Sequence, residues 1–233
     1  LPDVSVKYVK RVIVVGATLK SFLDPVSPVF SPDGKQVAYE AWKGGKQFIV
    51  VGDKKGEEFD DVRDLAFSPD GKQVAYKAEK GGKWFIVVGD RKGEEFDGVK
   101  SPVFSPDGKQ VAYPAKKGDK WFIVVGDKKG EEFDEVTGNW SPPVFSPDGK
   151  QVAYAAEKGG KWFIVVGDKK GEEFDGVWAP VFSPDGKQVV YWAMKGGKWF
   201  IVVGDKKGEE EEEEVWQPVF SPDNKKVAHA AKK

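Results

Sequence analysis

Five tryptophans, Trp42, Trp140, Trp178, Trp192 and Trp216, each occur once at positions where the surrounding sequence otherwise repeats. Their chemistry is stacking, since an indole face takes a sugar ring, an apolar side chain or a cation. Glu40, Arg63, Asp64 and Lys77 hold variable positions of the same kind in other copies and supply charge to orient a polar ligand end. These nine residues are the candidate ligand-binding set. Catalysis is harder to assemble. His229 is the one histidine and stands where other copies carry Tyr, so it reads as a filler of that slot. A triad needs a histidine beside a serine and an acid, yet the recurrent serines belong to a turn motif. The neighbours Asp60 and Asp61 point to opposite faces of a strand end, unlike a glycosidase pair. The glycine-rich turns lack the phosphate-loop pattern. There is no cysteine, so no thiolate chemistry or disulfide. The chain is read as non-enzymatic, with no catalytic residue, no metal and no cofactor.

The elements that position these residues come from an internal repeat. Ser-Pro-Asp recurs at Ser31, Ser68, Ser105, Ser146, Ser183 and Ser221, spaced by 37, 37, 41, 37 and 38 residues. Periods of this size mean stacked identical units. Within one unit, Pro102-Val103-Phe104 is a short strand and Ser105-Pro106-Asp107-Gly108 a tight turn. Gln110 to Ala115 is a second strand, Gly118-Asp119 a two-residue hairpin, and Trp121 to Val125 an apolar third strand covered on both faces. Glu131 to Asp134 is a charged outer fourth strand. Four antiparallel strands per unit predict an all-β, six-bladed β-propeller. The blades fall at about 28–61, 65–98, 102–135, 143–176 and 180–214. A composite sixth joins 217–233 to 1–24, so residues 1–233 make one domain. Lys10 to Gly16 matches a third strand and Lys20 to Asp24 a fourth, with none before them, while Val219 to Ala230 supplies only a first and second. N-terminal strands at about 10–24 are therefore expected to pair with C-terminal strands at about 217–231 and close the ring as a stable monomer.

Phe-Ser-Pro-Asp-Gly-Lys followed by an apolar strand is similar to the Pro-Asp repeats of TolB-type six-bladed propellers, and the resemblance covers nearly the whole chain. It implies a protein-binding module, or a relative of propellers that gate or flank peptidases. A periplasmic or extracellular location follows if the likeness extends that far. No functional residue transfers, because the shared motif is a structural turn. The copies are more alike than that family's usually are, as recent amplification or engineering from one consensus blade would leave them.

Differences between copies gather in the connections between blades and just after the repeated Tyr, on one rim of the ring. Trp140, Trp178 and Trp216 fall in three successive connections with Trp192 beside them, while Arg63, Asp64, Lys77 and Glu40 occupy the facing sector. Two readings stand. In one the rim recognises a small ligand, peptide, protein or glycan; in the other it is drift or channel filling in a structural repeat scaffold without a natural ligand. Composition narrows the partners. Charge is balanced at 37 basic against 38 acidic residues, which argues against nucleic acid, and no apolar run is long enough for a membrane span. One Met, one His and 32% charged residues resemble heat-tolerant proteins. The compartment is left open. The run Glu209 to Glu214 replaces Glu-Glu-Phe-Asp-Gly and has no reading at this level.

Overall fold

The computed structural model describes residues 28–136, 141–211 and 218–229. All regular structure in them is antiparallel strand, and none of it is helix, so no helix is long and apolar enough to cross a membrane. The first sheet orders Val29–Phe30, Val37–Lys43, Lys46–Val51 and Lys54–Lys55; the second orders Asp61–Phe67, Val74–Lys80, Lys83–Val88 and Arg91–Lys92. The third centres on Val111–Lys117 and Lys120–Val125, the fourth on Val152–Lys158 and Lys161–Val166. In both, the inner strand comes in two pieces. The fifth runs Gly176–Phe182, Val189–Lys195, Lys198–Val203 and Lys206–Glu211. Val219–Phe220 and Val227–Ala228 form a two-stranded sixth sheet, and among the described residues no closing sheet is present. The expected N-terminal strands at 10–24 lie outside the described residues.

The repeated turn is built from its own side chains. In each copy the serine hydroxyl donates to the aspartate two residues on at 2.6–2.7 Å, as Ser68 does to Asp70. The same hydroxyl accepts the Gln73 amide at 3.0 Å, and the Asp70 carboxylate accepts the Lys72 amide at 3.1 Å. Ser68 is thus buried without an orphaned hydroxyl, which explains why serine rather than alanine recurs there. At the other end, Gly81 and Gly82 both take left-handed backbone, φ 62° and 78°. Two such residues make the hairpin turn whose twist matches the strands it joins.

The outer strand differs from its expected form. Only Lys128–Lys129 pairs regularly with the third strand; Glu131 and Glu132 leave the ladder, and Phe133 returns as a single bridge to Trp121. The reason lies in the next sheet. Phe133 is buried between sheets, edge-on to Tyr154 at 6.3 Å and Phe163 at 5.8 Å. Phe59 and Phe96 repeat this with Tyr76 and Phe85, and with Tyr113 and Phe122. Each phenylalanine is a wedge between neighbours, and burying one contributes about 1.5–3 kcal/mol. The charged residues around it also cross the seam. Glu57 of the first sheet pairs with Lys92 of the second at 2.5 Å, and Glu94 with Lys129 of the third at 2.6 Å.

Candidate functional site

Register decides where the variable side chains stand. Arg63 and Lys77 are direct cross-strand partners, and Lys77 in turn pairs with Ile86. The inner strand bulges between Arg63 and Ala66, where Asp64 adopts φ 59°. Aspartate tolerates that conformation better than most residues. The bulge aims the Asp64 carboxylate at Lys77 Nζ, 2.8 Å away, and it also accepts the Ser101 hydroxyl of the next connection at 2.9 Å. Arg63 pairs with Asp61 at 2.7 Å. Glu40, on the first sheet, is half-buried beside this group. Burial, then Asp64 and Asp61, push its carboxyl above the usual range, while Arg63 and Lys77 oppose the rise. The four polar candidates therefore come together as one mixed-charge cluster on the first two sheets, which Ser101 links to the third.

The same bulge recurs in the fifth sheet between Trp178 and Val181, with Ala179 at φ 51° and its amide donating to Ser141 Oγ at 3.2 Å. Trp178 is half-buried and lies against Trp199, with ring centres 4.8 Å apart at 40°. Of the five singular tryptophans, only Trp42, Trp178 and Trp192 are among the described residues. Trp192 is 2% exposed, edge-on to His229 at 5.2 Å, so its indole is core between the fifth and sixth sheets and not an open stacking face. At the same register Pro114 and Ala155 are buried too, while Glu40 and Lys77 are half-buried. Trp42 is paired with Gln47, at the register where the other sheets place Trp84, Trp121, Trp162 and Trp199 on the partner strand. The first sheet carries its indole on the opposite strand of this pair, at Trp42, where Gln47 has none. Trp140 and Trp216 lie outside the described residues.

Repetition alone missed the seam clamps. Asp97 accepts Lys83 Nζ at 2.7 Å and the Gly118 amide of the next sheet at 2.7 Å. Asp60, Asp134 and Asp175 do the same toward Gly81, Gly159 and Gly196. The signal was a lysine fourteen residues before each aspartate. Two crevices between sheets, of ≈ 370 Å³ and ≈ 550 Å³, open at the opposite end, beside Gln73, Tyr113 and Asp127 and beside Lys54, Tyr76 and Asp90. Those residue types repeat from sheet to sheet, so these crevices offer one surface chemistry several times over. Among the described residues, no group of three or more His, Asp or Glu is placed to hold a metal ion.

Consecutive antiparallel sheets of about 37 residues, wedged and clamped seam by seam, decide the family together with one comparison. Residues 66–232 match PD40, the TolB beta propeller domain. The chain belongs to this family. No curated protein matches its sequence. Among solved structures, TolB from Acinetobacter baumannii is 22% identical, with a TM-score of 0.42, over 81% of this chain and 56% of that one. This TolB beta propeller domain chain thus spans little more than half of that relative's length. The β-propeller domain of the trilobed protease from Pyrococcus furiosus, described as having an open velcro topology, is 16% identical over 89% and 77% of the two chains, TM-score 0.51. An oligogalacturonate lyase in complex with manganese is 13% identical over 88% and 69%, TM-score 0.51. At these identities the likeness is one of fold.

Proposed function

We propose that this TolB-type domain is a non-enzymatic recognition scaffold that holds a ligand or a protein, peptide or glycan partner on its sheet-specific side. The observation that carries this reading is the division of labour within each sheet. The turns at the Ser-Pro-Asp end repeat in sequence and hydrogen bonding, whereas Glu40, Arg63, Asp64, Lys77 and Trp178 differ from their counterparts and lie in the connections or just after the repeated Tyr. Asp64, Lys77 and Ser101 form a cross-sheet network found at one seam, as a site for one particular partner requires. Against catalysis stand the serines, engaged within their turns, and His229, whose ring packs on Trp192. The test is a binding screen of glycans, peptides and small aromatics read by tryptophan fluorescence. Saturable binding weakened by Asp64→Ala and Trp178→Ala supports the reading; no binding in the screen, or binding insensitive to both, overturns it.

The finer architecture belongs to the same proposal: six blades, the last completed by residues 10–24. Phe30 is 59% exposed and Val219 53%, whereas Phe67 and Val103 at the same registers are partly covered by adjoining sheets. Both exposed residues lie on the sheets that would meet at a closing seam. A second reading, an amplified or engineered scaffold with no natural ligand, is favoured by the uniformity of the turns, whose serine–aspartate bonds agree within 0.1 Å across six copies.

A further inference from the structure

The third sheet displays how this fold holds an ammonium group. Lys100 Nζ lies 4.4 Å and Lys116 Nζ 5.7 Å from the centre of the Trp121 ring. Such approaches are cation–π contacts, favoured by the negative face of the indole. The fifth sheet carries the same indole, Trp199, but the two lysine registers hold Trp178 and Met194. Trp178 lies over Gly176, where an added Cβ would come within 2.2 Å of the ring, so the glycine is what lets the indole lie down against Trp199. The result is a half-buried indole pair in the place where a sister sheet brings its own cations.

A second departure meets the first. In the four preceding sheets the residue bridged to this indole register is Phe59, Phe96, Phe133 or Phe174; in the fifth, Trp199 pairs with Glu211 and Phe200 with Glu210. Six glutamates follow one another in sequence from Glu209, and like charges so close repel unless a cation joins them. Lys198 pairs with Glu210. Met194 and the acidic run occur in this sheet alone, whereas Trp216 repeats the Trp178 register in the next connection.

We propose that the Trp178–Trp199 pair and the adjoining Glu209 and Glu210 form a binding site for a cationic peptide, a lysine or arginine side chain of which takes an indole face as Lys100 takes that of Trp121. The proposal deepens the recognition reading and rests on it. The indoles provide the contact that salt screens least, and the glutamates provide long-range attraction that salt weakens.

The test titrates the full chain with a tetralysine peptide and with a neutral Gly-Ser peptide of equal length, following tryptophan fluorescence at low and high salt. Saturable binding of tetralysine alone is expected. Trp178→Lys, which installs the third sheet's own residue, should weaken it at least about fivefold while leaving the melting curve close to wild type. Glu209→Gln/Glu210→Gln should weaken it further and flatten its salt dependence. Equal affinity in Trp178→Lys, or no saturation by tetralysine, overturns the cationic site. If tetralysine fails while a glycan or neutral peptide binds and responds to Asp64→Ala, the recognition reading stands and this inference alone falls.

Discussion

Asp97 and Gly118 are joined across a seam: the carboxylate ending one sheet's outer strand accepts, at 2.7 Å, the amide that opens the next sheet's hairpin. The same oxygen pair holds Lys83 of its own sheet. Lys83 and then the Gly118 amide hold the Asp97 carboxyl below the ordinary 3.8, and Lys46, Lys120 and Lys161 do so for Asp60, Asp134 and Asp175. The turn aspartates, such as Asp70 and Asp148, are lowered by their serines. A carboxylate depressed in the fold stabilises above its unfolded pKa, and that stability is lost as pH falls through the folded value. Melting temperature should therefore be nearly flat from pH 7 to about 4.5 and drop steeply below about 4. Asp97→Asn should lower the plateau and make the drop shallower. A melting curve unchanged down to pH 2 would contradict the clamps.

Glu40 titrates in the opposite sense. Its carboxyl is raised by burial and by Asp64 and Asp61, so its charge opposes folding above the folded pKa, and the opposition vanishes as pH falls below the unfolded one. Glu40→Gln should raise the melting temperature at pH 7 and leave it unchanged at pH 4. A stabilisation of equal size at both pH values would mean that charge is not the cause.

Phe133 should be among the costliest truncations. It is 1% exposed and meets Tyr154 and Phe163 edge-on, so Phe133→Ala should lose about 3–5 kcal/mol in denaturant unfolding. The converse change is available in the fifth sheet, where Glu211 holds the phenylalanine register opposite Trp199. Glu211→Phe should gain about 1–2 kcal/mol. A loss on Glu211→Phe would mean that the last seam has no room for the wedge.

Trp192→Ala separates core from contact. The indole is buried against His229, so the substitution should cost about 3–5 kcal/mol of stability and leave ligand affinity within about twofold. Affinity lost without a change in stability would return Trp192 to the binding set.

Ring closure gives a cross-linking prediction. Tyr76 pairs with Val87, and at the same register of the proposed sixth blade His229 would face Val14. Neighbouring antiparallel partners lie within disulfide reach, and the chain has no cysteine to interfere. Val14→Cys/His229→Cys should oxidise within one chain, as a mobility shift in non-reducing gels at monomer mass. A dimer band would place the closing strands in a second copy, and no bond would leave the ring open.

Much of the sheet architecture was legible because turns announce themselves locally: Ser68 needs only Asp70 and Gln73 to define its hairpin. Phe133 was expected in a short outer strand, Glu131 to Asp134, because its partners, Tyr154 and Phe163, belong to the next repeat. A single unit contains no trace of what it packs against. Trp192 was misplaced for a related reason. Rarity among copies measures freedom from the shared scaffold, and a side chain filling one particular seam is as free of it as a side chain at a mouth. Trp42 was singular because the first sheet carries its indole on the strand opposite the one the other sheets use. The polar candidates were found together because Asp64 and Lys77 lie one strand apart at matched register.

The most direct test replaces Glu40, Arg63, Asp64, Lys77 and Trp178 together with residues from other copies at the same registers, and screens this variant and the wild type against one peptide and glycan array. The wild type should bind a defined subset, and the variant, melting within a few degrees of it, should lose that subset. Identical binding by both proteins, or a wild type that binds nothing, would contradict the account.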